Sequence, residues 1–175
     1  YLAEYLLSKD YEVFGTLKRN SVVENQTSRL NNIFENVNLE YADLTDMSSL
    51  TRLIKQVKPA EIYNLGAQSG MKLLHQTTYK EFELGWRMAS FGLFRIAKVL
   101  CPLMVDRGKG NIIVTSATAA MRGNKTQHSH AAAMGARRML CQSLNAEFSS
   151  QGIHVAHVVI DGAVDAPDTL SLIHI

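Results

Sequence analysis

The sequence predicts an α/β fold in which a mostly parallel, doubly wound sheet lies between two layers of helices. Short apolar segments typical of buried strands alternate with helix-patterned segments along the chain. The length of 175 residues suits one domain. A content of 46% hydrophobic and 19% charged residues is ordinary for a globular protein. Strands joined through helices favour right-handed crossovers, and therefore parallel pairing.

The first half of the chain predicts two helices and three strands. The clearer helix is 47–57, where apolar residues recur three and four positions apart. Asp46 or Ser48 can cap this helix, and Pro59 ends it. The stretch 18–36 is polar and rich in asparagine. The remaining predictions are a helix at 1–9, strands at 11–17, 37–42 and 60–65, at most a short helix near Arg29 to Phe34, and an inward face of Leu50, Leu53, Ile54 and Val57 on the 47–57 helix.

The second half predicts two long helices and two strands. The segment 78–105 is the strongest helix prediction, since its apolar residues fall on one face. Gly108 and Gly110 end that helix before a buried strand at 111–115. A loop at 116–126, a helix at 129–149 and a strand at 153–160 follow. The predicted inward residues are Phe82, Trp86, Ala89, Leu93, Ala97 and Leu100 on the first helix, and Ala133, Ala136, Leu140, Leu144 and Phe148 on the second.

Charge and cysteine usage limit the classes of partner. The 18 basic and 16 acidic residues are dispersed, which argues against a nucleic-acid partner. The apolar stretches are shorter than a membrane span needs, so no membrane partner is expected. Cys101 and Cys141 lie in helix-patterned segments and are interpreted as small apolar core residues, with a disulfide or a reactive thiol as the alternative. This interpretation favours a reducing, cytoplasmic setting.

Three segments within residues 1–69 have a recognisable pattern: YLAEYLLSKDYEVFGTLKRNS, YADLTDMSSL and VKPAEIYNLGAQS. They resemble the GDP-mannose 4,6-dehydratases, an extended type of short-chain dehydrogenase/reductase. The resemblance implies a three-layer Rossmann-like fold, in which a strand and a Gly-rich turn that holds the cofactor pyrophosphate precede the first segment. The chain opens at Tyr1 inside the following helix, so we expect a truncated sheet. The strands at 11–17 and 60–65 should then face each other across a gap or pair directly.

A second set of segments resembles the single-domain short-chain dehydrogenases/reductases. These segments are FELGWRMASFGLF, NIIVTSATAAMRG, QHSHAAAMGARRMLCQSLNAEF and GIHVAHVVIDGAVDAPDTL, within residues 63–168. We interpret the chain as a mosaic of two homologous genes joined near 63–67, with one divergent protein as the alternative. Residues 1–170 are then one NAD(P)-binding domain. The end, 171–175, resembles sequencing-adaptor read-through and is taken as a non-structural tail.

The resemblance implies three groups of cofactor contacts. One group surrounds the adenosine 2′-phosphate and selects NADP over NAD, since a guanidinium grips a phosphate through two hydrogen bonds. A second group lies along the adenine, and a third runs under the nicotinamide-side ribose. The first group is Lys18, Arg19, Asn20 and Ser21, for which a solvated charged turn is the alternative. The second is Asp43 and Leu44, where Asp43 could instead be a helix-capping acid. The third is Leu65, Gly66, Ala67 and Gln68, for which a simple tight turn is the alternative. Without the Gly-rich turn, binding is expected to be weak.

The catalytic positions of the superfamily carry no catalytic residues in this chain. The resemblance places its Ser or Thr at Ala117, its Tyr at His130 and its Lys at Met134. The Asn found in many members falls at Ala89, and the Glu of the dehydratase falls at Ala119. Ser116 and His130 remain as weak catalytic candidates, with packing or helix-start roles as the alternative for His128 and His130. A metal site at His128, His130, His154 and His157 is weaker still, and no metal is expected.

These observations predict an NAD(P)-binding protein that is catalytically impaired. The parental reactions are hydride transfer to a carbonyl and dehydration of GDP-mannose, so a nucleotide sugar or a small carbonyl compound is the implied substrate. The alternatives are a non-catalytic binding or scaffolding domain and a non-functional gene fragment. We also expect a homodimer through the helices at 78–105 and 129–149, unless part of their stripe faces the sheet. The predicted outer face has Phe91, Ile96, Met139 and Cys141, with Ala132 and Gly135 as small residues that admit a partner.

Overall fold

The computed structural model of the chain describes residues 2–17, 33–65 and 72–162. Strands and helices alternate through these ranges, as the sequence predicts. Short 3₁₀ turns lie at Phe34–Asn36, Leu74–Gln76, Thr118–Ala120 and Ser149–Gln151. The principal elements are α1 (Leu2–Leu7), β1 (Val13–Leu17), β2 (Val37–Tyr41), α2 (Met47–Val57), β3 (Glu61–Asn64), α3 (Tyr79–Trp86), a π turn (Arg87–Phe91), α4 (Gly92–Arg107), β4 (Gly110–Ala117), α5 (His128–Phe148) and β5 (Ile153–Ile160).

All strand pairs in the described residues are parallel, which confirms the predicted α/β class. One sheet consists of β1 and β2, and the other has the order β3-β4-β5. No hydrogen-bonded ladder joins β1 to β3 among the described strands. The predicted gap between the segments 11–17 and 60–65 is therefore confirmed, and the alternative of direct pairing is not observed there. The short helix predicted near Arg29 to Phe34 lies mostly outside the described residues.

Helix α2 shows how local chemistry sets the ends of an element. Asp46, the first of the two predicted caps, accepts a hydrogen bond from the Ser48 backbone N–H at 2.9 Å. The helix ends at Lys58, which adopts a left-handed conformation with φ 48° immediately before Pro59. Three predicted inward residues, Leu50, Leu53 and Ile54, are buried, whereas Val57 is only half-buried.

The segment 78–105 is helical as predicted, but a π turn at Arg87–Phe91 interrupts its α-helical period. A π turn closes hydrogen bonds five residues apart and therefore rotates everything on one side of it relative to the other. Ala89, Leu93, Ala97 and Leu100 are buried as predicted. The prediction that Phe82 and Trp86 face inward is wrong, since they are 45% and 44% exposed.

Helix α5 buries a different stripe from the one predicted. Ala133 and Leu144 are buried, but Ala136, Leu140 and Phe148 are only half-buried. Met134, Arg137 and Cys141 are buried instead. This helix packs against both β5 and the α3–π-turn segment, so its buried stripe is turned toward the seam between them. The sequence pattern assumed a single apolar partner on one side.

The cysteines lie in the main core, as predicted. Cys101 and Cys141 are free thiols in the buried cluster that includes Leu93, Leu100 and Ile112. Burial raises the pKa of both thiols to about 11. Cys141 was also predicted for an outer face together with Ile96, and that prediction is wrong because both side chains are buried in the protomer itself. The cytoplasmic setting inferred from these cysteines stays a prediction.

The prediction that every apolar stretch is too short to span a membrane is wrong for the helical segment Tyr79–Arg107. Its 29 residues are long and apolar enough to cross a membrane by length and composition alone. The earlier expectation counted uninterrupted apolar runs, which Arg95 and Lys98 break. Half of the most apolar window is buried inside the protein, and a core helix can be as long and as apolar as a membrane-crossing one. Leu93, Leu100 and Met104 of this segment belong to the core.

Candidate functional site

The carboxyl ends of the strands bring the predicted site residues to sheet edges. Asp43 and Leu44 follow β2, and Leu65 follows β3. Ser116 and Ala117 are the last residues of β4. In open α/β sheets, ligands bind outside the carboxyl ends of the strands, so these edges are the place to test for a site.

Asp43 organises the turn between β2 and α2. Its Oδ1 accepts hydrogen bonds from the Thr45 backbone N–H at 2.8 Å and from Thr45 Oγ1 at 2.7 Å. The Asp43 backbone N–H donates to Ser49 Oγ at 3.1 Å. The helix cap is Asp46, so the alternative role of Asp43 as the capping acid is not what the structure has. An ionised carboxylate only accepts hydrogen bonds, and this chemistry suits the exocyclic amine of an adenine.

Leu44 is held between the turn and α4. Its side chain is half-buried and packs against the main core cluster. Its backbone carbonyl accepts a hydrogen bond from Arg95 Nη1 at 2.8 Å. The turn at 43–45 is therefore fixed both by its own hydrogen bonds and by the helix beside it.

The other predicted cofactor contacts are only partly visible. Leu65 follows β3 directly and is exposed. The remaining seven lie outside the described residues: Lys18, Arg19, Asn20, Ser21, Gly66, Ala67 and Gln68. The structure therefore describes three of the ten predicted contacts: Asp43, Leu44 and Leu65.

Four of the five positions to which the resemblance assigns catalytic residues lie in or against one apolar cluster. We name it the alanine–methionine cluster; Met134, which the resemblance aligns with the catalytic Lys, is its largest side chain and 1% exposed. Ala117, which the resemblance aligns with the catalytic hydroxyl, packs against it. The cluster is formed by Ala89, Ala119, Ala120, Ala133 and Met134, with Ala117 and Ala131 packed on it. The sequence identified the individual substitutions but not their contiguity.

The two weak catalytic candidates have different surroundings. Ser116 is buried, and its Oγ lies 3.5 Å from the sulfur of Met134. It thus faces α5 and the alanine–methionine cluster. His130 is half-buried in the first turn of α5, and its Nδ1 is buried without a hydrogen-bond partner among the described residues. His130 lacks the hydroxyl and the cation that the family's proton donor has as partners, since Ala117 and Met134 stand where the resemblance places them.

The four histidines of the weak metal hypothesis lie on two elements. His128 and His130 begin α5, whereas His154 and His157 are three residues apart on β5 and therefore face opposite sides of the strand. Within the ranges that the structure describes, no group of three His, Cys, Asp or Glu side chains could hold a metal ion. Burial, followed by the nearby Arg138 and Arg137 charges, lowers the pKa of His157.

A short segment before α3 ties together the loops that follow β3 and β4. The Lys72 backbone N–H donates to the Thr126 carbonyl at 2.9 Å. The Lys72 ammonium pairs with Glu81 in the first turn of α3. Glu81 in turn accepts from the backbone N–H of Thr78, which is the helix cap, at 2.9 Å.

This arrangement predicts a measurable titration. The Lys72 ammonium, followed by the Thr78 N–H and hydroxyl, lowers the pKa of Glu81 to about 2, from 4.5. Because the pKa of Glu81 is lower in the folded state than in the unfolded state, the ionised carboxylate stabilises the fold fully above about pH 4.5. This stabilisation is lost as the pH falls toward 2. We expect carboxyl NMR titration of Lys72→Met to return the Glu81 pKa toward 4.5. An unchanged Glu81 pKa in that variant would contradict the ion pair.

Comparisons with known proteins decide the family. The family model for GDP-mannose 4,6 dehydratase matches residues 1–128. The chain belongs to this family. GDP-mannose 4,6 dehydratase of Homo sapiens is 46% identical over 81 residues, which are 42% of this chain and 21% of that protein. GDP-mannose 4,6 dehydratase 2 of Arabidopsis thaliana is 52% identical over 77 residues, which are 39% of this chain and 20% of that protein. The chain thus spans about a fifth of the length of these relatives.

Solved structures confirm the Rossmann-like fold. A short-chain dehydrogenase from Rhodopseudomonas palustris superposes with a TM-score of 0.82 at 24% identity, over 95% of this chain and 78% of that one. A gluconate 5-dehydrogenase from Burkholderia cenocepacia, in complex with NADP and tartrate, superposes with a TM-score of 0.83 at 17% identity. The superposition covers 99% of this chain and 70% of that one. The family match extends to residue 128, beyond the residue 69 expected from sequence. The mosaic origin stays a prediction.

Proposed function

We propose that residues 1–170 form one NAD(P)-binding domain whose own residues do not carry out hydride transfer. The observation that most strongly supports this is the alanine–methionine cluster. A packed apolar cluster that includes Ala89, Ala119 and Met134 offers no proton donor and no cation at these positions of the family's catalytic set. Of the other two positions, Ala117 packs against this cluster, and His130 has no partner from the catalytic set.

A dinucleotide cofactor fits the chain at one end only. At the adenosine end, the acceptor chemistry of Asp43 and the apolar side chain of Leu44 suit an adenine. Arg19, carried over from the family resemblance, favours NADP over NAD. At the nicotinamide end, buried Met134 offers no donor to ribose hydroxyls. We therefore derive no hydride step for this chain and propose adenosine-end binding.

Binding of NADPH tests the first half of this proposal. The carried-over contacts with charged side chains all lie at the adenosine end, so we expect a Kd no tighter than about 1 mM, or roughly −4 kcal/mol. Ligand-observed NMR with the 175-residue chain covers this range. Arg19→Ala should weaken NADPH more than NADH, because only NADPH carries the 2′-phosphate. Micromolar affinity for NADPH, or equal losses for the two cofactors, would reject the proposal.

Turnover tests the second half. With saturating NADPH and a panel of small carbonyl compounds, we expect NADPH oxidation at the rate of the protein-free control. With NADP⁺ and GDP-mannose, whose dehydration returns the hydride and leaves the cofactor unchanged overall, we expect no dehydrated sugar above the same control. GDP-mannose belongs in the assay because family membership makes a nucleotide sugar the first substrate class to consider. Turnover that His130→Ala abolishes would overturn the non-catalytic assignment and make His130 the proton donor. The matched variant His128→Ala controls for a change at the start of the same helix.

A second candidate role is association as a homodimer. Trp86 stacks on Phe91 with ring centroids 5.2 Å apart, and Phe91 stacks on Phe94 at 6.0 Å. Trp86 and Phe94 are both exposed, which leaves an aromatic surface on this helical segment. On α5, Met139 is 58% exposed, and open space surrounds Gly135. An apolar surface of this kind favours a protein partner.

The oligomeric state gives a direct test of that role. We expect sedimentation of the chain at micromolar concentration to show a dimer, and Met139→Glu to shift it to a monomer, because a buried carboxylate at the interface is unfavourable. Met121→Glu is the matched control, since Met121 is exposed to a similar degree in the loop after β4. A monomeric parent chain, or a dimer unaffected by Met139→Glu, would exclude this interface.

A further inference from the structure

Arg95 connects α4 to the turn at 43–45 and is itself oriented by Phe91. Its Nη1 donates to the Leu44 carbonyl at 2.8 Å, across 51 residues of sequence. Its guanidinium carbon lies 4.1 Å from the centroid of the Phe91 ring, which holds the planar group in a fixed orientation. A hydrogen bond from a charged donor is stronger than one between neutral groups, and arginine keeps its charge at any pH the protein meets.

Gly92, one turn before Arg95, lets the same turn approach the helix closely. A Cβ at this position would lie 3.1 Å from Leu44 Cβ and 3.5 Å from Leu44 Cδ2. Any side chain there would push Leu44 away by a few tenths of an ångström. Gly92 is buried in the helix, so the contact belongs to the packed interior.

The geometry points to Arg95 and Gly92 as positioning residues for the adenosine end of the site. This inference rests on the proposed function. Gly92 sets how close Leu44 lies to α4, and Arg95 fixes the carbonyl that follows Asp43, so together they set the depth and direction of the Asp43–Leu44 pair. The hydrogen bonds from Thr45 and to Ser49 shape the turn internally, whereas Arg95 and Gly92 place it against the helical layer.

Arg107 provides a matched control on the same helix. Its Nη1 and Nη2 donate to the carbonyls of Pro59 at 3.1 Å and Lys58 at 2.9 Å. Arg107 therefore joins the turn before β3 to α4 through backbone carbonyls, as Arg95 joins the turn after β2 to the same helix. The turn before β3 lies at the amino end of that strand, away from the carboxyl ends where the ligand is proposed.

The experiment is a titration with AMP, followed by the amide NMR signals of Asp43, Leu44 and Thr45. We expect Arg95→Met to raise the AMP Kd about tenfold, the scale of one lost charge-assisted hydrogen bond. Arg95→Lys should recover most of this affinity. Arg107→Met should leave the AMP Kd unchanged, although it should lower the unfolding midpoint by as much as Arg95→Met does. Gly92→Ala should raise the Kd about threefold, in line with a displaced Leu44.

The outcomes separate the two proposals. If about 20 mM AMP, far above the tightest Kd expected, leaves the amide signals of residues 43–45 in the parent chain unshifted, the adenosine site itself is rejected. The positioning role is then rejected with it. If the parent chain binds AMP and Arg95→Met binds it equally well, the positioning role alone is overturned. If Arg95→Met does not fold, Gly92→Ala decides, and an unchanged Kd in that variant overturns the inference.

Discussion

Replacing Arg137 with methionine is expected to lower the free energy of unfolding by about 3 kcal/mol. Arg137 is 1% exposed, and its guanidinium donates to the Ala89 carbonyl at 3.0 Å and the Thr115 carbonyl at 2.8 Å. Methionine has a similar length but no donor, so both carbonyls lose this partner inside the protein. A buried polar group without a partner carries its full desolvation cost.

Denaturation by urea, followed by two spectroscopic probes, measures this effect. Arg138→Met is the matched control, because it removes the same charge from the neighbouring position; we expect a change within about 0.5 kcal/mol. Arg137→Lys keeps the charge but not the planar, branched donor, so we expect an intermediate loss. A loss below about 1 kcal/mol for Arg137→Met would show that the two carbonyl hydrogen bonds do not stabilise the fold.

Arg137 has this effect because it binds to the π turn. A π turn widens the helix and leaves its carbonyls poorly placed for the usual partners four residues on. Ala89 lies in that turn, and its carbonyl is the one that accepts from Arg137 Nε. The next residue, Ser90, donates from its buried Oγ to the Ala133 carbonyl at 3.0 Å. These two long-range hydrogen bonds join the π turn to α5.

Local sequence patterns predicted most of the secondary structure because it depends on local periodicity. The helix at Met47–Val57 and the strand at Ile153–Ile160 coincide with the predicted segments. The inward positions of Phe82 and Trp86 were wrong because counting 3.6 residues per turn fails across a π turn. Buried Arg137 was missed because a charged residue is normally placed on the solvent face. Its position four residues after Ala133 was the available signal.

The candidate site was predictable only in part, for the same reason. Chain order alone places Asp43 and Leu44 after a strand, so the sequence could predict their location. The contacts of Arg95 and Gly92 with Leu44 span about 50 residues and have no local pattern. The contiguity of Ala89, Ala119 and Met134 likewise arises from tertiary packing, which substitutions taken one at a time do not reveal.

Replacing Met134 with lysine is expected to lower the free energy of unfolding by about 4 kcal/mol. This change introduces the residue type that the resemblance expects at a position that is 1% exposed in this chain. The ammonium would enter the alanine–methionine cluster, where the Ser116 hydroxyl lies 3.5 Å from the present sulfur. A hydroxyl alone compensates little of the cost of burying a charge.

Met134→Leu is the matched control, because it keeps volume and apolarity; we expect a loss below about 1.5 kcal/mol. Unfolding should be measured from pH 6 to pH 10, the range in which a buried lysine with a lowered pKa loses its proton. The folded-state pKa is then the lower one, so the unfolded state binds more protons and the variant gains stability as the pH rises. A Met134→Lys protein as stable as the parent at pH 7 would mean that this position admits water. The superfamily's catalytic cation would then still have room in this chain, and the proposal that the cluster excludes hydride chemistry would fail.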